Sequence, residues 1–320
     1  MNGPNLNELL PDAVLTNVAT NLWANGGFAA DRLAGVKQVP KDRYKFSTWD
    51  KSVLQHLFNT FRAPGDRANA IPRPAKAYTE GLIKENAIRA EYTQEDVDNS
   101  LTPDEPRVTA TARIVNALQF VVENLVHDKY LVAGLAAANK TQAAAKWDAA
   151  TTSIRKDVEK AKETFYKRTG IEPNYILMPR HVWTAFIISK EITDLRIYTE
   201  NMFRGQDGRD VLPVFGLQPI VPGMRYDSAP SGTYTPAFVW GDNDVWIGYS
   251  PAVNGGGWDG TAPTFLGQFE ATLTGQSAFA VKEYQSPFFA EDKTFIITSD
   301  FRRTVETINA EFVHAVHTVL

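Results

Sequence analysis

Apolar residues recur at helical spacing through the middle of the chain. Ile114, Leu118, Val121, Val122, Leu125 and Val126 share one helical face, no proline follows Pro106 before Ala138, and Gly134 is the single glycine of that interval. Thr102-Pro103-Asp-Glu-Pro106 supplies the start, with proline at early positions and acids in the first turn. A helix over 106–138 would run roughly 50 Å at ~1.5 Å per residue, longer than a small domain needs, which predicts a strut. A second helix is expected from Thr152 to Arg168, burying Ile154, Val158, Ala161 and Phe165. Lys167 and Arg168 suit its C-terminal dipole, and Gly170 suits the position after its cap. Asn174-Tyr-Ile-Leu-Met178 reads as a buried strand, and Pro179 opens a third helix with Val182, Trp183, Phe186 and Ile187 apolar. Helix, strand and helix in alternation predict an α/β-type subdomain. Ala237–Trp240 and Val245–Tyr249 flank Gly241-Asp-Asn-Asp244, a hairpin signal, and 265–320 reads mainly as strands.

The first hundred residues have a different texture. Residues 1–30 are polar, small and asparagine-rich, with a short helix expected over Leu15–Trp23 and closed by Gly26-Gly27, so they read as an arm rather than a core element. Val36-Lys-Gln-Val39-Pro-Lys41 and Tyr44-Lys-Phe46-Ser-Thr-Trp49 alternate as strands do. Arg62-Ala-Pro-Gly65 and Ile71-Pro-Arg-Pro74 punctuate the middle, and Lys76–Ile83 supplies a return strand. The pattern is a long two-stranded excursion, which must lean on a neighbour to be stable. Residues 139–150 read as an Ala/Lys/Gln connector.

Charge sharpens this picture. Residues 37–76 carry nine Lys/Arg against three Asp, a net of +6, whereas 80–105 carry eight acids against Lys84 and Arg89, a net of −6. Two adjoining polar blocks of opposite sign suggest surfaces that meet other copies of the chain. The remaining composition mostly excludes. At 320 residues and 43% hydrophobic content the chain can bury a sizeable core in two subdomains, and a net charge of −4 argues against a dedicated nucleic-acid binder. With no cysteine there is no disulfide, thiolate nucleophile or zinc–cysteine site, which fits a reducing cytosol. No signal peptide opens the chain and no apolar run reaches the ~20 residues of a membrane span, so a soluble product with no membrane partner is expected.

Motifs for chemistry fail on context. Gly255-Gly-Gly257-Trp-Asp-Gly260 matches G-x-G-x-x-G, but Thr261-Ala-Pro263 starts no helix to face a pyrophosphate. Gly134–Thr141 resembles a P-loop, yet asparagine replaces the second glycine and the segment ends a helix instead of following a strand. Glu311, His314 and His317 have a metal-ligand spacing only if helical, and their surroundings are strand-like. His56, His127 and His181 have no telling neighbour, and Asp242 and Asp244 fit turn positions. No catalytic constellation, cofactor or metal site is expected.

The order of segments, with several local stretches, resembles the major capsid proteins of tailed bacteriophages, which share the Hong Kong ninety-seven fold. The stretches are Ala30-Asp31-Arg32, Val39-Pro40-Lys41, Tyr44-Lys-Phe46, Arg62-Ala-Pro-Gly65, and Tyr92 with Glu95-Asp-Val97. Further on come Ile154–Thr169 followed by Gly170-Ile-Glu-Pro-Asn174, then Val182-Trp183 and Phe238-Val-Trp240-Gly241. The resemblance covers the chain from about Val14 onward. It implies an α+β fold of this type with an N-terminal arm over 1–34 and an extended loop over 35–99. A peripheral domain with the strut helix would occupy 100–169, an axial domain 170–279, and returning C-terminal strands 280–320.

In that family the extended loop lies across the neighbouring subunit, and subunits form hexamers and pentamers of an icosahedral shell around double-stranded DNA. The intersubunit candidates are accordingly Lys37, Lys41, Arg43, Lys45, Arg62, Arg67 and Arg73 on the basic side, and Glu91, Glu95, Asp96 and Asp98 on the acidic side. The long acidic N-terminal extension of self-scaffolding relatives is missing, which implies a separate scaffolding protein or a removed extension. Lys37, Lys41, Lys45 and Lys51 could serve a cross-link, but no partner asparagine is identifiable, so non-covalent contacts are expected. Portal and decoration proteins, non-specific contact with packaged DNA, and a virion location after assembly in the host cytoplasm complete the expectation. The alternatives are an encapsulin-like compartment and a soluble α+β enzyme.

Overall fold

The computed structural model describes residues 12–25, 28–47, 67, 78–102, 104–149, 153–198, 215–227, 235–254, 258–260, 262–271, 279–285, 294–317 and 319–320. Its first helix, α1 (Ala13–Asn25), is capped by Asp12, whose carboxylate accepts from the amides of Val14 and Leu15. Leu15, Ala19 and Trp23, each four apart, are buried, as are Phe28, Ala30 and Leu33 around the short helix α2 (Ala30–Leu33). The sequence reading of this region as an arm outside the core is therefore corrected. Trp23 packs edge-on to Phe28, lies beside Phe301 and donates to Asp31 at 2.9 Å, which fastens α1 to distant strands.

Strand β1 (Gly35–Val39) runs parallel to β11 (Leu266–Ala271), Gly35 opposite Gly267. Strands β2 (Arg43–Ser47) and β3 (Tyr78–Leu82) form the expected antiparallel hairpin, from Arg43 opposite Leu82 to Ser47 opposite Tyr78. Strand β4 (Glu85–Tyr92) returns to the sheet and pairs with β13 (Phe295–Thr307). That sheet has the order β1–β11–β13–β12, with β12 (Phe279–Gln285) and β4 both on β13. The two ends of segment 35–99 thus belong to a sheet, and the hairpin is its inner part.

After the short helix α3 (Gln94–Asp98) comes the strut, α4 (Glu105–Leu135), 31 residues and so about 46 Å long. Ile114, Leu118, Val122, Val126 and Tyr130 form a buried row four residues apart, extended by Ala110, Val115 and Ala133. Each aliphatic member of that row contributes about 1.5–3 kcal/mol relative to exposure. Val121 and Leu125, expected in the row, are half-buried beside it.

The second sheet has the order β5–β14–β10–β6–β7, from β5 (Lys140–Gln142), β6 (Tyr175–Leu177), β7 (Gln218–Ile220), β10 (Val245–Gly248) and β14 (Val313–His317). Its inner strands are buried on both faces. Tyr175, Leu177, Trp246, Val313 and Ala315 join the core of the strut, while Ile176, Val245, Ile247 and Val316 face a second core. This explains their unbroken apolar runs. Helix α5 (Ile154–Thr169) closes on Gly170, which holds φ +71°, a left-handed conformation that glycine adopts without strain. Its first turn is capped from α7 (Lys190–Tyr198) by Glu191, which accepts from Ile154 N–H at 2.6 Å. Helix α6 (Arg180–Ile188) buries Val182, Trp183 and Phe186 as expected.

Two more expectations change. The connector 139–149 contributes β5 and the buried Trp147, whose indole donates to Asp157 at 3.2 Å. The hairpin over 237–249 does not form. Strand β9 (Pro236–Phe238) pairs with β8 (Arg225–Asp227), whereas β10 pairs with β6 and β14. Val245-Trp246-Ile247 needs cover on both faces, and only a central strand provides it. Among the described residues no helix is long and apolar enough to cross a membrane.

Candidate intersubunit surface

In the β2–β3 hairpin, residues opposite one another share a face. Tyr44 and Phe46 point inward, onto Phe269 of β11, with ring centroids 4.2 and 5.2 Å away; Trp258 meets Phe269 from the edge at 5.4 Å. Gly81 lies beneath Tyr44, and a Cβ at that position would fall inside the Tyr44 ring. The outward face carries Arg43, Lys45, Glu80, Tyr78 and Leu82, with Tyr78 62% and Leu82 53% exposed. Lys45 Nζ meets Glu80 at 2.8 Å across the strands, which lowers the Glu80 pKa and raises that of Lys45. One base and one acid of the two charge blocks therefore pair within the same chain.

A second feature lies where β4, α3 and α4 meet. A cleft of about 370 Å³ is lined by Glu91, Tyr92, Asp96, Leu101, Glu105 and Arg113, among others. Three carboxylates stand there against one guanidinium, and Leu101 on its wall is 96% exposed. Tyr92 in its lining belongs to a polar cluster. Arg107 pairs with Glu283 of β12 and reaches Asp12 at 3.2 Å, while the Tyr92 hydroxyl donates to the same Glu283. Burial, then the Glu283 carboxylate, push the Tyr92 phenol above its ordinary range. Asp96 also caps α3, accepting from the Thr93 amide at 2.8 Å, and that bond holds its carboxyl below the usual range.

The predicted residues divide on this geometry. Arg43 and Lys45 share the hairpin face, Lys41 is exposed just before β2, and Glu91 and Asp96 meet in the cleft. Glu95 and Asp98 are exposed on α3 but do not line the cleft. Lys37 sits on β1 against Gly260, apart from the hairpin. Arg67 is exposed, and Arg62 and Arg73 lie outside the described residues.

No protein-family model matches the chain, and no curated protein matches it. Solved structures do. A phage-related protein from Bordetella bronchiseptica is 18% identical with a TM-score of 0.69, over 97% of this chain and 98% of that one. The mature capsid of bacteriophage PhiM1 is 13% identical with a TM-score of 0.51, over 90% of this chain and 86% of that one. A virus-like particle from Pyrococcus furiosus is 10% identical with a TM-score of 0.51, over 95% and 98%. The chain has the Hong Kong ninety-seven capsid fold.

Within this capsid fold each described histidine has a polar side-chain partner, although the Nδ1 of His314 is buried without one. His127 meets Asp242 at 2.5 Å and His317 meets Asp244 at 2.6 Å, so these aspartates serve as histidine partners and not as residues of a hairpin turn. His181 bonds Asn243 at 2.9 Å and His314 bonds Thr141 at 2.6 Å, while His56 lies outside the described residues. Among the described residues no three His, Asp or Glu side chains converge on a metal position. Gly255–Gly257 also lie outside the described residues, and among the described residues between Gly260 and β11 there is no helix.

The charge reading counted Glu105 in the acidic block without naming it a contact candidate, and it missed Tyr78, Leu82, Leu101 and Arg113. Tyr78, Glu80 and Leu82 alternate, a pattern that marks one strand face. Leu101 is a lone apolar residue in a polar run, and nothing local marks it.

Proposed function

We propose that this chain is a major capsid subunit, copies of which join as hexamers and pentamers into an icosahedral shell around packaged double-stranded DNA. The observation that carries this reading is the two-faced hairpin: its inner face is anchored by Tyr44 and Phe46, while its outer face offers charge and apolar surface together. Apolar groups bordered by charges suit a contact surface, which has an apolar centre and a polar rim. In this reading residues 35–99 are the extended loop, with the β2–β3 hairpin as its inner part, and the basic hairpin of one copy approaches the acidic cleft of the next. Opposite charges would set register and suppress wrong pairings, and the apolar groups Tyr78, Leu82 and Leu101 would supply contact area. A surface that meets a different surface on its neighbour closes into a ring when the rotation between copies closes, which suits capsomers. With a net charge of −4 the subunit lines the shell without gripping the genome, since phosphate binding needs clustered basic charge. A separate scaffolding protein, a portal and a decoration protein belong to the same reading, as do assembly in the host cytoplasm and a final place in the virion.

Expression followed by size-exclusion chromatography and negative-stain microscopy tests it. Capsomers or closed shells are expected, and a discrete monomer lacking higher assemblies overturns the reading. The triple change Lys41→Glu, Arg43→Glu, Lys45→Glu should preserve circular dichroism yet block assembly. Glu91→Lys with Glu105→Lys should restore it in part. Normal shells from the triple variant would reduce the basic face to solvated surface. Nucleic acid inside the shells supports a phage capsid; enclosed protein cargo supports an encapsulin-like compartment.

A further inference from the structure

Glu123 stands midway along the strut, fully enclosed at 0% exposure. Its Oε1 accepts from the Trp240 indole at 2.6 Å and its Oε2 from the Ala30 amide at 2.9 Å. The Ala29 amide adds a third donor. These donors lie 93 residues away at the start of α2 and 117 away at the corner before β10. One carboxyl group thus fastens two remote segments to the middle of α4.

The groups around it set its proton affinity. From α2, Asp31 contributes a like charge, itself held by Arg303 of β13 at 2.8 Å, and Arg303 also holds Glu270 of β11 at 2.8 Å. Along the strut, His127 is engaged by Asp242 of the Trp240 corner at 2.5 Å, and Tyr130 shares a hydrogen bond with Tyr175 of β6 at 2.7 Å. Among the described residues no lysine or arginine pairs with Glu123. Burial without a cation penalises the charge, and the N–H donors only partly offset it. The carboxyl is pushed up to about 7, by burial first.

We propose that Glu123 is a proton-operated clasp: with its proton it holds residues 28–34 and the Trp240 corner against the strut, and on ionising it lets them open toward water. A closed clasp binds the proton more tightly than an opened, hydrated carboxyl of ordinary acidity, so acid favours closure and alkali favours opening. The full span between those acidities is a factor of roughly 300 in the opening equilibrium. Helix α2 leads directly into β1 and the hairpin, so the clasp reaches the proposed assembly surface. That last consequence rests on the shell reading; the clasp itself does not.

Amide hydrogen exchange on the full chain tests it, at pH 5.5 and 8.0 after correction for intrinsic rates. Peptides spanning 28–34 and 239–241 should open roughly 25-fold more at pH 8.0. Glu123→Gln keeps the shape and removes the proton, so its protection should not change with pH. Equal corrected protection of the native chain at both values, or a pH dependence that survives in the Gln variant, overturns the clasp. Infrared titration of the native chain gives a second reading that does not depend on the variant folding. A carboxylic-acid band should fade between pH 6 and 8, and the absence of any such band overturns the proposal.

Discussion

The Tyr44 ring stacks on that of Phe269 at 4.2 Å between centroids, with an interplanar angle of 28°. This contact joins the hairpin to the sheet, since the outward faces of β2 and β3 carry exposed side chains. Tyr44→Ala should therefore cost about 3–5 kcal/mol and free the hairpin, as seen by faster proteolysis within it. Tyr44→Phe should behave oppositely. The hydroxyl is buried with no hydrogen-bond partner, so its removal should leave stability unchanged or raise it by up to about 1 kcal/mol. A Phe variant that melts well below the native chain would show that the hydroxyl is satisfied.

Lys45 and Glu80 make a close pair, but their side chains are 67% and 75% exposed. Water and salt screen such a pair, and holding two long side chains together costs rotamer freedom. Lys45→Ala should leave the melting temperature nearly unchanged while slowing assembly, and the assembly rate should fall with added salt. Scanning calorimetry and light scattering separate the two effects. A fall in melting temperature of more than about 5 °C would mean that the pair holds the hairpin together.

Arg168 does far more than complement the end of α5. Its guanidinium donates to the carbonyls of Glu311 at 2.7 Å and Val313 at 2.9 Å, and to that of Ala138 beyond the strut. One side chain thus satisfies three carbonyls from two sheet-bearing segments. Arg168→Met keeps much of the packing on Phe165 and strands those acceptors, with an expected loss of about 2–4 kcal/mol in urea unfolding. A loss within error would mean that water replaces the guanidinium at all three sites.

Much of this fold could be read from the sequence wherever a single element carried its own signal. The strut has a 3.6-residue period sustained over 31 residues, and α5 closes on a glycine where the pattern placed one. The hairpin alternates Tyr44 and Phe46 inward with Arg43 and Lys45 outward. What escaped depends on distant partners. The apolar stripe Leu15, Ala19, Trp23 is brief and set among asparagines, and its burial requires β12, to which Asp12 donates at Val281 O, 2.8 Å. The turn signal at Gly241–Asp244 was locally sound but lost to the pairing of β10 with β6 and β14. The cleft is assembled from β4, α3 and α4, so no one segment announces it.

Glu123 and His314 are both buried and both shifted, in opposite senses. Burial pushes the Glu123 carboxyl up to about 7, so the folded state holds its proton where the unfolded chain has lost it, and stability from this group grows as pH falls from 7 toward 5. Burial, then the Arg168 charge, push the His314 imidazole down to about 4, so the folded state resists a proton that the unfolded chain accepts near 6.5. Its contribution is present above 6.5 and is lost as pH falls toward 4. Between pH 7 and 5 each contribution changes by about 2 kcal/mol, with opposite sign. The native chain should therefore show a nearly flat unfolding free energy over that window. Glu123→Gln should unmask the histidine and lose stability on acidification, and His314→Gln should unmask the carboxyl and gain it. Urea unfolding at pH 5, 6 and 7 reads all three slopes, and parallel slopes in the two variants would refute the assignment of either group.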